Sequence, residues 1–311
     1  MEESDNNKQS YDIDDEIDLR ELFFLFIKER LIIISFTALL SIIGIIYSLQ
    51  IPNIFESNTL LAPVEESLSS NLDNYRGLAG LAGITLPSAN SGNNSKKAFE
   101  MMGSLSFFEK HIMPNIFLPD LMAVDYWDHK SNTIIYDEDI YNKNSNTWVR
   151  DTDNPNKLVP SAQQSYKVFK GSHFNISEED DSGYITLTIK HQSPFIAKEW
   201  AETIVKEINN FYREKDKAGS EKSVIYLNEQ MSKTGLSEIK QVTAELLGQE
   251  IQKLTLIEAN IDYVFEYIYP PSAMEQKSEP NRSFIVIFFA LFGGILGVLI
   301  ILFRHYFLAK K

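Results

Sequence analysis

Apolar positions along this chain follow three patterns, and the longest pattern occurs twice. Leu31–Gln50 (LIIISFTALLSIIGIIYSLQ) and Ser283–Phe303 (SFIVIFFALFGGILGVLIILF) are apolar runs with no Asp, Glu, Lys or Arg inside. At 1.5 Å rise per residue each is long enough for a hydrocarbon core of about 30 Å, so each predicts a transmembrane helix. The competing readings are a buried core helix and a secretory signal. A soluble core helix seldom goes so far without a charge. A secretory signal needs a short basic start and a small-residue cleavage site, whereas a long polar segment precedes the first run and Tyr47–Pro52 is a poor cleavage site. Two spans place both chain ends on one side of a membrane and everything between on the other.

The second pattern is alternation. Phe55–Val64 reads as a strand, as do Phe174–Ser177 and Tyr184–Lys190, in which Ile185, Leu187 and Ile189 alternate with Thr186 and Thr188. The acidic, Gly-ended link Glu178–Gly183 predicts a hairpin turn between the last two. Asp262–Tyr269 (DYVFEYIY) reads as a further strand, followed by Pro270-Pro271 and then Pro280.

The third pattern is helical spacing. Ser193-Pro194 predicts a helix start, with the Ser hydroxyl capping free amides and Pro pre-set for the first turn. Ala197, Trp200/Ala201, Ile204, Ile208 and Phe211 follow at helical intervals, then a polar stretch, then Ile225, Leu227 and Met231. Thr234-Gly235 offers a turn, and Ile239, Val242, Leu246, Leu247, Ile251 and Leu254 trace a return helix. The result is a helical hairpin whose first arm, about 60 Å long, exceeds what its own core can cover. It is expected to project and pack on neighbouring copies. The alternative is two ordinary helices broken near Gly219. Shorter helices are expected after Ser95, carrying Phe99, Met102, Leu105 and Phe108, and around Ser161–Lys170. Asp15–Arg30 places Ile17, Leu19, Leu22, Phe23, Phe26 and Ile27 among charges. It reads either as a helix in the membrane interface or as an extension of the first span. Residues 1–7 read as a disordered tail, 115–160 as irregular or holding short elements, and Gly77–Gly83 (GLAGLAG) as a mobile or subunit-facing loop that lacks a nucleotide-loop Lys.

Charge then orients the spans. Arg20, Lys28 and Arg30 precede the first and Arg304, Lys310 and Lys311 follow the second, whereas Ile51–Tyr75 has no basic residue, which predicts cytoplasmic termini. Lys277 and Arg282 are mild exceptions. A net charge of −14 argues against nucleic acid as a partner. With no cysteine, the outer region must be held by a packed core rather than disulfides.

Catalytic constellations are missing. No cysteine nucleophile, His-Glu-x-x-His, Gly-x-Ser-x-Gly or phosphate-binding loop occurs. His111, His129, His173, His191 and His305 lack ligand spacing, and His129 beside Asp125 and Asp128 reads as solvated surface before metal site. Paired acids can serve a glycosidase, but Glu178–Asp181 is better explained as a hairpin tip. Tyr126, Trp127 and Trp148 either stack on sugar rings or finish a core. Gly293-Gly294-x-x-Gly297 gives the second span a face that lets another helix approach closely.

Pro270, Pro271 and Pro280 ahead of a span with Gly293, Gly294 and Gly297 resemble the Wzz-type polysaccharide co-polymerases, the O-antigen chain length determinants of Gram-negative bacteria. Pro280-Asn-Arg-Ser-Phe284 stands where that family has Pro-Lys-Lys/Arg, and the element order agrees over nearly the whole chain except 115–160. The proline repeat is thin over 272–279. A nucleotide-binding tyrosine kinase region, present in capsule and exopolysaccharide relatives, does not follow Arg304–Lys311, which points to the kinase-free class. The resemblance implies an α+β fold: a membrane-anchored periplasmic α/β base with a long protruding helical hairpin, flanked by two transmembrane helices. It divides the chain into a cytoplasmic segment 1–30, span 31–50, periplasmic co-polymerase domain 51–282, span 283–303 and cytoplasmic tail 304–311. Within the domain the base covers about 52–192 and 260–270 and the arm about 194–258.

The resemblance further implies a protein of the bacterial inner membrane with no catalysis, metal or cofactor of its own. Its partners would be further copies in a ring, a Wzy-type polymerase and the growing lipid-linked glycan. The glycine face would pack the spans on each other or on the polymerase. The other functions weighed are a capsule or exopolysaccharide export subunit working with a separate tyrosine kinase, and a two-span sensor. A neighbouring kinase and exporter gene would favour the export subunit; a polymerase and flippase would favour chain-length control.

Overall fold

The computed structural model describes residues 19–64, 94–152, 158–260 and 262–305, in two compact units: one from the two chain ends, the other covering Asn53–Glu279. The tail 1–7, Ile17 and the Gly77–Gly83 loop lie outside the described residues.

The first unit holds α1 (Leu19–Lys28), α2 (Arg30–Gln50) and the last helix of the chain, Arg282–Phe303; α2 and the last helix are long and apolar enough to cross a bilayer. α1 and α2 are separated only at Glu29, where the backbone leaves the helical region (φ −99°, ψ 15°).

In the second unit β1 (Phe55–Pro63) is followed by α3 (Asn94–Met102) and α4 (Leu105–Phe107), which runs into a wide turn over Phe108–Ile112. Helix α5 (Leu118–Met122) then leads into two small hairpins, β2 (Val124–Asp128) with β3 (Thr133–Tyr136) and β4 (Tyr141–Asn142) with β5 (Thr147–Trp148). After them come α6 (Ala162–Val168), β6 (Phe174–Glu178), β7 (Ile185–His191), α7 (Pro194–Lys233), α8 (Ser237–Ala259) and β8 (Phe265–Tyr269). The last helix, Arg282–Phe303, is α9. Helices and one principal sheet are thus mixed in an α+β fold, as the resemblance implies.

The sheet has the order β6-β7-β1-β8, antiparallel throughout. Ile185, Leu187, Ile189 and His191 of β7 and Phe55, Ser57, Thr59 and Leu61 of β1 are buried, while the residues between them are more open. A one-residue slip of β7 would expose its three apolar side chains, at roughly 1.5–3 kcal/mol each, so alternation fixes the register. Against that face lie Ala197, Trp200, Ala201, Ile204, Val205 and Ile208 of α7, the apolar stripe visible in the sequence. Glu179 accepts the Gly183 N–H in the β6–β7 turn, and Gly183 takes a positive φ of 66° that a side chain would oppose.

Helix α7 runs unbroken through Gly219 for 40 residues. The good helix formers around Gly219 outweigh its cost of about 1 kcal/mol. Two cap expectations are corrected. Ser95 lies inside α3, and the cap in this region is Ser104, whose Oγ accepts the Phe107 N–H at 3.2 Å and starts a new helix after Gly103. Ser193 occupies the cap position of α7, but its hydroxyl makes no capping bond. Its own N–H donates to the ring of His191, and Pro194 is the first residue of the helix.

Candidate functional site

The residues singled out in the sequence fall in both units. In the first unit Gly293 and Gly297 press on the backbone of α2. A Cβ at Gly293 would lie 2.8 Å from Thr37 Cα and 2.9 Å from Phe36 O, and one at Gly297 would lie 2.8 Å from Ile33 Cα. Such separations are shorter than side-chain carbons tolerate, so only glycine permits this approach. Gly294 stands one step off the seam; its added Cβ would meet Thr37 Oγ1 at an ordinary 3.7 Å. Gly44 on α2 completes the seam from the other side, where an added Cβ would lie 2.8 Å from Phe289 Cβ; a lone glycine in an apolar run carries no pattern that marks it in the sequence. The glycine face therefore packs the two apolar helices on each other within one chain.

Polar contacts close both ends of this hairpin. Arg304 donates to Glu29 Oε1 at 2.7 Å, and Arg282 Nε donates to the Ser48 carbonyl at 3.2 Å. Thr37, Ser41 and Ser48 turn their hydroxyls onto carbonyls of their own helix, which satisfies these three in an apolar setting. Pro280 is half-buried at the approach to α9.

In the second unit Pro271 is buried and Pro270 exposed just after β8. Beyond them the chain returns to the start of β1. Ile54 N–H donates to Glu279 O at 2.9 Å, Ser278 N–H donates to Ile54 O at 2.9 Å, and Lys190 holds both Glu56 (3.1 Å) and Glu279 (2.6 Å). The hydrogen bonds from these two carboxylates raise the Lys190 pKa. The two ends of this unit are thereby clasped together.

Asn209 is a site the sequence concealed. It sits buried in the α7 stripe, accepts the N–H groups of Val264 (2.8 Å) and Phe265 (2.9 Å), and donates to Phe265 O at 2.8 Å. The amides of Val264 and Phe265 are thus spent on the helix, and β8 starts at Phe265 rather than Asp262. Nothing in a single sequence marks a helical Asn as a strand clamp.

Two histidines without ligand spacing come together. His173 and His191 lie 5.7 Å apart between ring centres, both edge-on to Trp200. His191 Nδ1 accepts the Ser193 N–H at 2.9 Å, so its proton is on Nε2 and is donated to Asp120 O at 2.9 Å. Burial pushes its pKa down to about 4; burial also lowers that of His173, whose Nδ1 donates to Lys190 O. The β6–β7 register places them side by side, a signal present in the predicted hairpin. Nearby, Asp120 accepts the Tyr136 hydroxyl at 2.6 Å, and burial raises the pKa of both groups.

The segment 115–160 holds short elements, one of the two expected forms. Trp127 packs on Phe55 and Phe195 and donates to Asn132 at 3.0 Å, and Trp148 packs on Tyr141, so both tryptophans finish packing clusters. Tyr126 is exposed. His129 stacks near Trp127, and among the described residues no three His, Cys, Asp or Glu side chains gather as a metal set.

Residues 15–110 match the family described as Wzz, chain length determinant protein. Over residues 15–110 this match bears out the resemblance. The match covers α1, α2, β1, α3 and α4, not the second apolar helix whose prolines and glycines suggested it. Among solved structures the chain is similar to a full-length bacterial polysaccharide co-polymerase, at 12% identity over 93% of this chain and 97% of that one, TM-score 0.41. It is also similar to a fragment of WzzB, a polysaccharide co-polymerase from Salmonella Typhimurium, at 11% identity over 73% of this chain and 100% of that one, TM-score 0.30. No curated protein matches.

Proposed function

We propose that this protein is a non-catalytic regulator of polysaccharide chain length that sets the modal length of O-antigen or a related lipid-linked glycan made by a Wzy-type polymerase. The observation that carries this reading is the match of residues 15–110 to the chain length determinant family. The protein sits in the bacterial inner membrane with α2 and α9 spanning it, both termini in the cytoplasm and residues 51–282 in the periplasm. Pro270, Pro271 and Pro280 shape the return to the membrane, while Gly293 and Gly297 form the packing face of the second span, with Gly294 one step off it.

Its work is scaffolding. The glycine-packed hairpin fixes each copy in the bilayer, and the clasped base holds the arm. On α8, Ile239, Val242 and Leu246 are spaced three and four apart and are 47%, 56% and 45% exposed. A stripe of this kind suits burial against a neighbouring copy in a ring. Deleting the gene and separating the surface glycan by length tests the reading. Loss of the modal cluster with synthesis retained is expected; an unchanged length distribution would overturn it. Loss of exported capsule without a change in length would instead indicate the export subunit.

A further inference from the structure

We propose that α1 is an interfacial helix lying flat in the cytoplasmic face of the membrane, its apolar face in contact with lipid. This rests on the reading that α2 and α9 span the bilayer with cytoplasmic ends.

The hairpin supplies the boundary. Glu29 is level with Arg304, and Ser48 with Arg282, because each pair is in direct contact. At 1.5 Å per residue Glu29 and Ser48 are about 29 Å apart, the thickness of a hydrocarbon core. Both ends of that interval carry charge, so the acyl region lies between them. Helix α1 is on the far side of Glu29, beyond the thickness that α9 covers.

Its composition does not suit water. Leu22–Ile27 is six apolar residues in succession, and Phe23, Phe24 and Ile27 are 63%, 70% and 48% exposed. Leu22 with Phe26 and Phe23 with Ile27 are four apart and share one face; Lys28 lies opposite, with Phe24 beside it. The backbone at Glu29 (φ −99°, ψ 15°) breaks the line of α2 where such a helix must turn into the plane. The Glu29 carboxylate is occupied by Arg304, while Lys28 and Arg30 flank the turn with charge that anionic headgroups attract. Lipid is the occupant that the boundary places beside this face.

The chain has no cysteine, so single variants Leu22→Cys through Lys28→Cys of the full-length protein can be spin-labelled in phosphatidylethanolamine/phosphatidylglycerol vesicles. Their accessibility to oxygen and to a water-soluble nickel chelate reports depth. The expected result is an oscillation with helical period: labels at 23, 26 and 27 in the acyl boundary and at 28 in water. A steady loss of depth from 28 to 22 would show a straight continuation of the span and overturn the proposal. So would water access at every position, or shielding of 23, 26 and 27 from both reagents, which marks a second copy or another protein. Sidedness is read separately by impermeant maleimide on intact cells, using Lys310→Cys and Ser67→Cys. Reversed labelling with the oscillation intact would overturn the topology and the cytoplasmic assignment while leaving α1 interfacial.

Discussion

Asn209 and Phe265 are joined in both directions: the Asn209 amide donates to the Phe265 carbonyl at 2.8 Å and accepts the Phe265 N–H at 2.9 Å. One side chain on the long helix thus completes the backbone of the strand that leads toward the second span. Asn209→Ala should leave buried amides of Val264 and Phe265 unsatisfied and cost about 2–4 kcal/mol, read as a lower thermal midpoint of the detergent-solubilised protein. Asn209→Asp should fall between the two, since a carboxylate accepts both N–H groups but cannot donate. Equal stability of all three would remove the clamp from the account.

The His191 ring sets a pH dependence. Its folded pKa of about 4 lies below the unfolded 6.5, so the unfolded chain binds more protons between those values. Stability from this group is complete above pH 6.5 and is lost as pH falls toward 4, by an amount on the order of 3 kcal/mol. His173, lowered in the same direction, adds to the slope. Asp120, raised by burial from 3.8, opposes it at the acid end. Melting between pH 7.5 and 4.5 should show the decline, and His191→Gln should flatten it.

Glycines that look alike should behave differently. Gly293→Ala and Gly297→Ala drive a Cβ into the α2 backbone, which can yield only by separating the helices, at about 1–3 kcal/mol each. Gly294→Ala meets only ordinary contact and should be silent. The bulkier Gly293→Leu and Gly297→Leu should shift the glycan length distribution while synthesis continues. If Gly294→Ala shifted it equally, helix separation would not be the cause.

Charge on the exposed stripe of α8 tests assembly. Ile239→Asp or Val242→Asp should reduce the mass of the detergent-solubilised oligomer, measured by light scattering, without lowering the melting midpoint, because both side chains are exposed within one chain. A full-size oligomer in both variants would move the contact surface elsewhere.

Periodic features were the legible part of this fold. The two apolar runs, the alternation of Ile185, Leu187 and Ile189 and the stripe from Ala197 to Ile208 each repeat with a period that only one element satisfies. What escaped was set by partners distant in sequence. Gly44 matters because Phe289 faces it, and Asn209 because a strand begins beside it. Ser104 had the local signature of a cap but was hidden inside an apolar pattern that continued past Gly103. In the candidate site, the glycine seam was recognisable as a close-approach face; that its partner is α2 of the same chain follows only from geometry.

The place of β1 between β7 and β8 also has a consequence for how the protein is made. Leu61 pairs with Ile185 on one side and Tyr267 on the other, and both partners are synthesised long after it. At about 5–20 residues per second, β1 waits roughly 10–40 s after its own synthesis for its last neighbour. Both edges of β1 are open until β7 is made and one edge until β8 is made, and an open edge is prone to pairing with another nascent chain. Shielding that strand until translation has nearly ended keeps it from such mispairing.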